Sequence, residues 1–94
     1  MEQPRISRHL VIRGRVQGVG FRWTMQRQAE ALGVDGWVRN KRDGTVESLV
    51  CGPQQAVAAM IDWAMHGPAG AKVEEVEVED STEIATGFTP AATL

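Results

Sequence analysis

The hydrophobic period of this chain changes several times, and the order of those changes restricts the fold more than any other feature. In residues 8–14 apolar and polar side chains alternate, with Leu10 and Ile12 on one face, as in a strand. From Phe21 the apolar residues recur at helical spacing, and Gly33 is placed to end that helix. The first two predicted elements are therefore a strand and a helix.

The rest of the chain repeats this change of period. Strands are predicted at residues 34–40 and 45–52, joined by a hairpin at Asp43-Gly44, because glycine tolerates the positive φ of such a turn. A second helix follows, and residues 71–80 form a last clear strand. The order β-α-β-β-α-β predicts an α+β, ferredoxin-like sandwich, in which an antiparallel sheet carries two helices on one face.

Length and composition predict one domain spanning residues 1–94. The single cysteine, Cys51, excludes a disulfide within the chain and is typical of a reducing compartment. The first residues contain no long apolar segment of the secretory type, and no apolar run approaches the roughly 20 residues that span a membrane. We therefore expect a soluble, cytoplasmic protein that does not bind membranes.

Charge is distributed unevenly along the chain, although the formal net charge is only −2. Residues 1–44 contain nine basic and four acidic side chains, whereas residues 45–94 contain one basic and eight acidic side chains. A basic surface raises the local concentration of anions. Taken alone, the asymmetry indicates either an anion-binding half or an ordinary difference between surface positions.

Residues 14–22, GRVQGVGFR, lie between the first strand and the first helix. The residues just before Phe21 include no Ser, Thr, Asp or Asn, so the first N–H groups of the helix have no side-chain cap. Such N–H groups and the positive end of the helix dipole form a natural anion site. Gly18 and Gly20 allow successive N–H groups to converge, and Arg22 adds a guanidinium that matches two phosphate oxygens. The glycines alone are equally compatible with a tight turn that binds nothing.

A second stretch, residues 36–46 (GWVRNKRDGTV), accompanies the first. Together they resemble the acylphosphatase family, whose signatures are Gly-x-Val-Gln-Gly-Val-x-Phe-Arg and Gly-Trp-Val-x-Asn followed by x-Gly-x-Val. The resemblance covers roughly residues 8–80 and agrees with the predicted order of elements. The matching residues are Gly14, Val16, Gln17, Gly18, Val19, Phe21, Arg22, Gly36, Trp37, Val38, Asn40, Gly44 and Val46.

The resemblance implies that the chain hydrolyses acyl phosphates to a carboxylate and inorganic phosphate, with the phosphate as product and inhibitor and the protein as a monomer. It implies two catalytic residues, Arg22 to hold the phosphate and Asn40 to orient the attacking water. Asn40 is in phase with Val38, so it ends a core-facing column of its strand. The implied phosphate-binding loop consists of Val16, Gln17, Gly18, Val19, Gly20 and Phe21.

Other chemistries find less support in the sequence. No Asp, Glu and His cluster has the spacing of metal ligands, so we expect neither a metal nor a cofactor. We interpret His9 and His66 as surface or cap residues and Cys51 as a buried strand residue. We interpret Trp23 and Trp37 as packing and orienting residues and not as substrate contacts. Two Phe and no Tyr make a poor platform for stacking bases, which argues against nucleic acid. The alternative function is a phosphate sensor that uses the same loop without turnover.

The C-terminal residues, GFTPAATL, depart from the family pattern, which usually closes with an apolar strand of the Phe-x-Ile type. Phe88 takes the corresponding place, but Pro90 has no N–H group and suits only an edge position. We therefore expect the last strand to be short or absent, with residues 89–94 as a candidate mobile tail.

Overall fold

A computed structural model describes residues 4–94, which form two helices packed on a five-stranded sheet. The elements in chain order are β1 (Arg5–Arg15), α1 (Phe21–Leu32), β2 (Asp35–Asn40), β3 (Val46–Pro53), α2 (Gln54–Ala64), β4 (Lys72–Asp80) and β5 (Phe88–Pro90). The predicted α+β class and the order of the first six elements are confirmed. Residues 1–3, with which the predicted domain begins, lie outside the described residues.

The strands lie in the order β4-β1-β3-β2-β5. β1 pairs antiparallel with both β3 and β4, and β2 pairs antiparallel with β3, which gives the predicted ferredoxin-like arrangement. β5 adds to the outer edge of β2 in parallel, with Gly36 opposite Phe88, so the complete sheet is mixed. The last strand, which the sequence predicted to be short or absent, is therefore present and three residues long.

The chain beyond β5 continues along the end of β2. The N–H of Ala91 donates to the carbonyl of Val38 at 2.8 Å, and the N–H of Leu94 donates to the carbonyl of Asn40 at 3.1 Å. The N–H of Arg42 donates in turn to the carbonyl of Leu94 at 2.9 Å. Leu94 thus fixes the backbone on both sides of Lys41, the residue that follows Asn40. The predicted mobility of the tail stays a prediction.

The hydrophobic core lies between the helices and one face of the sheet. Leu10 and Ile12 are fully buried there, as the alternation in β1 predicted, and Cys51 of β3 is buried as predicted. Both helices contribute one apolar stripe to this core. Their fully buried members are Phe21, Met25 and Ala29 of α1 and Val57, Met60 and Ala64 of α2. Of the helices that residues 4–94 form, none is long and apolar enough to cross a membrane.

A charged cluster lies on the face of the sheet opposite the helices. The carboxylate of Glu47 accepts a hydrogen bond from Arg39 Nε at 2.6 Å and contacts His9 Nε2, also at 2.6 Å. Burial raises the pKa of Glu47, but its hydrogen bonds with Arg39 and His9 outweigh that effect and leave the pKa below its ordinary value of 4.5. The His9 ring is thus occupied by a hydrogen bond with Glu47 on the face of the sheet away from the helices.

We predict that Glu47→Gln lowers the free energy of unfolding at pH 7 by about 1–3 kcal/mol, because glutamine keeps the volume but not the charge-assisted hydrogen bonds. The lowered pKa makes the Glu47 contribution complete above pH 4.5 and lost as the pH falls through the folded-state value. Urea unfolding of the native protein and the variant should therefore differ clearly at about pH 7 and less at about pH 3. An equal difference at both pH values would contradict this account.

Candidate active site

The loop between β1 and α1 takes its shape from two glycines. Gly18 has φ 74° and Gly20 has φ 76°, in the left-handed region that other residues rarely adopt. A Cβ atom at either position would meet nothing within 4 Å, so the backbone conformation and not the available space requires glycine there. Gly20 is also the N-cap residue of α1 and supplies no side-chain hydrogen bond to the helix. The chain therefore enters α1 uncapped, as the sequence predicted.

The backbone N–H groups of residues 17–22 donate to no acceptor within the part of the chain that the structure describes. The first helical bond runs from the N–H of Thr24 to the carbonyl of Gly20 at 3.0 Å, and the Thr24 hydroxyl donates to that same carbonyl at 2.8 Å. The first turn of α1 carries no acidic side chain. Open donors and the positive end of the helix dipole thus coincide, which is the physical basis of an anion site.

Two apolar side chains anchor this loop to the core. The Phe21 side chain is 2% exposed and packs against the ring of Trp63 in α2, with 5.3 Å between the ring centroids. Val19 is half-buried against the same core. These two contacts hold the loop against the core.

A pocket of about 350 Å³ lies in front of the loop. Its walls come from the loop, the first two turns of α1, the end of β2 and β5. The residues that line it are Val16, Gln17, Gly18, Gly20, Phe21, Arg22, Trp23, Gln26, Asn40 and Pro90. Arg22 and Asn40, which the sequence predicted as catalytic, therefore share one pocket with five of the six predicted loop residues. Val19, the sixth, faces the core instead.

The side chains of Arg22 and Asn40 have no hydrogen-bond or ion-pair partner among residues 4–94. The backbone of Asn40 is nevertheless well fixed, since it pairs with Val46 in β3 and accepts a hydrogen bond from the N–H of Leu94. A guanidinium and an amide are thus both available to a ligand in the pocket, and each extends from a regular element.

Gln17 joins the loop to the hairpin between β2 and β3. Its side-chain Nε2 donates to the carbonyl of Lys41 at 2.7 Å and to the carbonyl of Thr45 at 2.9 Å. Inside the hairpin, Asp43 accepts hydrogen bonds from the hydroxyl and the N–H of Thr45, which lower the pKa of Asp43 below 3.8. The side chain of Gln17 is therefore occupied by structural contacts, while its backbone N–H stays open in the loop.

Three residues that line the pocket were not among the predicted site residues. Trp23 was predicted to be a packing and orienting residue, and the packing part of that prediction is wrong because Trp23 is 64% exposed. Gln26 donates to the carbonyl of Phe88 at 3.3 Å, and Pro90 belongs to the strand that the sequence left uncertain. Trp23 lies about 200° around the helix axis from the buried Phe21. This spacing can be read from the sequence and predicts that Trp23 lies outside the core.

Ion pairs distinguish the basic residues near this site. Arg13 pairs with two glutamates of β4, and Arg39 pairs with Glu47. Within residues 4–94, Arg15, Lys41 and Arg42 have no ion pair within 4.0 Å. Arg15 and Lys41 are adjacent in the sequence to the pocket residues Val16 and Asn40, so positive charge lies in the chain segments that form the pocket. The described residues contain no group of three His, Cys, Asp or Glu side chains that could hold a metal ion.

Comparison with known proteins places these features in a family. The family model described as Acylphosphatase matches residues 8–90. The chain belongs to the acylphosphatase family. An acylphosphatase of Thiobacillus denitrificans is 55% identical over 80 residues, which cover 85% of this chain and 90% of that protein. One from Thermococcus kodakarensis is 57% identical over 75 residues, covering 80% of this chain and 82% of that protein. The solved structure of an acylphosphatase from Coxiella burnetii is 33% identical, with a TM-score of 0.89 over 93% of both chains.

We predict that Gln17→Ala destabilises this acylphosphatase-family protein by about 1–2 kcal/mol, because it removes two hydrogen bonds between the loop and the hairpin. Urea unfolding followed by far-ultraviolet circular dichroism measures the effect. Gln28→Ala is the matched control, since Gln28 is half-buried on α1 and makes no hydrogen bond through its side chain within residues 4–94. It should change stability by about 0.5 kcal/mol or less. Equal stability of the two variants would contradict a bridging role for Gln17.

Proposed function

We propose that this protein hydrolyses the mixed anhydride between a carboxylic acid and phosphate, and releases a carboxylate and inorganic phosphate. One observation carries the proposal: the pocket lined by the uncapped loop, the Arg22 guanidinium and the Asn40 amide, whose donors are unoccupied within residues 4–94. Membership of the acylphosphatase family supports the same reaction. A phosphate sensor would bind through the same loop but leave the acyl phosphate intact.

The loop and Arg22 bind the phosphoryl group in this proposal. The N–H groups of residues 17–22 surround its equatorial oxygens, and the planar fork of Arg22 binds two of them at once. During phosphoryl transfer negative charge is spread over these oxygens. Donors that are already oriented when the substrate arrives stabilise that charge without reorganising, which is how electrostatic preorganisation lowers a barrier.

Asn40 orients the attacking water. Its side-chain oxygen accepts a hydrogen bond from the water, and its NH₂ group donates to a phosphoryl oxygen, so the water is positioned without a strong base. The water oxygen forms a bond to phosphorus as the bond from phosphorus to the acyl oxygen breaks in line with it. A proton of the water passes to a phosphoryl oxygen, and the carboxylate leaves with the electron pair of the broken bond.

The leaving group explains why so few functional groups suffice. A carboxylate, whose conjugate acid has a pKa of roughly 4, departs as an anion without a proton donor. An alkyl phosphate releases a far more basic alkoxide and calls for a general acid or a metal. The polar groups of the pocket include N–H donors of Arg22, Asn40 and the loop, which match the needs of an activated acyl phosphate.

We propose that residues 1–94 act as one domain and as a monomer in the cytoplasm, without metal or cofactor, on a small-molecule substrate. The buried, unpaired thiol of Cys51 is typical of a reducing compartment. Inorganic phosphate should be a competitive product inhibitor, because it occupies the same loop as the phosphoryl group of the substrate.

We predict that Arg22→Ala lowers kcat/KM by about 10²–10³ or more, because it removes a charged donor to the transition state. Arg22→Lys should recover little of the activity, since an ammonium group cannot reproduce the bidentate fork. The measurement follows the ultraviolet absorbance of an aryl acyl phosphate with EDTA present throughout. Near-native activity of Arg22→Ala would refute the assignment, and inhibition by EDTA would refute a metal-independent reaction.

Asn40→Ala provides the matched contrast in the same assay. Asn40 orients the water and gives the phosphoryl group only one neutral hydrogen bond, so its loss should fall mainly on kcat, whereas loss of the charged, bidentate Arg22 should also raise KM and the inhibition constant of phosphate. If the two variants show the same changes in kcat and KM, the separate roles proposed for the two residues are wrong. Phosphate binding without any turnover by the native protein would favour the sensor.

A further inference from the structure

We propose that the indole of Trp23 forms the acyl-binding wall of the pocket and makes the enzyme prefer acyl phosphates with an aromatic or otherwise apolar acyl group. This inference rests on the proposed function and names the substrate class at the same site. It begins from an exposed aromatic residue: Trp23 is 64% exposed, yet it lines the pocket that also contains Arg22 and Asn40.

The position of Trp23 on α1 places it at the mouth of the pocket. Phe21, Met25 and Ala29 form the buried stripe of the helix. Trp23 follows Phe21 by two residues, or about 200° around the helix axis, and therefore faces away from the core. Arg22, one residue earlier, lies between these two directions. Along the pocket wall, the loop is therefore followed by Arg22 and then by the exposed indole of Trp23.

The substrate has to lie along this same direction. With its phosphoryl group held by the loop and Arg22, an acyl phosphate directs its acyl group away from those donors and toward the solvent side. Beyond the loop, Arg22 and Asn40, the pocket is lined by Trp23, Pro90 and Gln26, of which two are apolar and Trp23 is largely exposed. An apolar acyl group therefore leaves water on binding, whereas a very small one covers little of this surface.

Arg27 determines which face of the indole the substrate meets. Its guanidinium lies over the Trp23 ring, 4.8 Å from the centroid, in cation–π geometry. Arg27 lines the neighbouring groove on α1, together with Thr24 and Glu30, but does not line the active-site pocket. The face that Arg27 covers is consequently turned away from the pocket, and the opposite face is available to a second flat group.

The experiment compares benzoyl phosphate with acetyl phosphate, two substrates with the same reacting anhydride and different acyl groups. Trp23→Ala should lower the ratio of kcat/KM for benzoyl phosphate to that for acetyl phosphate by about 5- to 20-fold, mainly through KM. Trp23→Phe, which keeps a flat ring, should retain most of the preference. Trp23→Leu keeps apolar bulk without a ring and should give an intermediate ratio.

Glu30→Ala is the matched control. Glu30 is exposed and lines only the neighbouring groove, and the charge that its removal eliminates acts on both anionic substrates alike. In Glu30→Ala the ratio of kcat/KM for benzoyl phosphate to that for acetyl phosphate should equal the native ratio. A Trp23→Ala ratio equal to the native one, in a protein that hydrolyses both substrates, overturns the acyl-wall assignment and leaves the proposed function intact. If the native protein hydrolyses neither substrate, both the proposed function and the acyl-wall assignment are wrong.

Discussion

Burial of the Phe21 ring is the interaction on which the site depends. Phe21 is the first residue of α1, and its contact with Trp63 fixes where that helix begins. The residue before it, Gly20, has a left-handed backbone and no side chain that could cap the helix. A side-chain cap commonly stabilises a helix by about 1 kcal/mol. Here the core holds the helix end in its place, and the uncapped N–H groups remain available to an anion.

The second requirement is that Asn40 reach this loop from another part of the sheet. The β1–β3 and β3–β2 pairings place the end of β2 beside the start of α1. Two further contacts fix that end: the amide of Gln17 binds the hairpin, and Leu94 pairs with the backbone on both sides of Lys41. The pocket is therefore built on packed elements and not on a free loop, which suits preorganised binding of a charged group.

The sequence predicted those parts of the fold and the site that depend on local patterns. The order of elements follows from the hydrophobic period, and Gly33 ends α1 as expected, with φ 72°. Arg22 and Asn40 could be singled out because each belongs to a motif of several adjacent residues. Such motifs can be recognised from adjacent residues alone, without knowing which distant segments they contact.

Other features depend on contacts between distant segments, which no local pattern contains. β5 forms although Pro90 lacks an N–H group, because it pairs in parallel with the outer edge of β2, where few donors are needed. The two carbonyl partners of the Gln17 side chain lie in the hairpin, far along the sequence. The helical spacing of Trp23 from Phe21 is a local pattern that predicts its exposure, but only the fold shows that Trp23 lines the same pocket as Asn40 and Pro90.

The central claim is that the N–H groups of residues 17–22 bind a phosphoryl group. The most direct measurement is an NMR titration of the ¹⁵N-labelled native protein with inorganic phosphate. α2 serves as an internal control, because its amino end also lacks a side-chain cap but has neither the glycine loop nor a neighbouring arginine in its first turn. The account predicts the largest saturable amide shifts at residues 17–22. Shifts of equal size at the amino end of α2, or none in the loop, would contradict it.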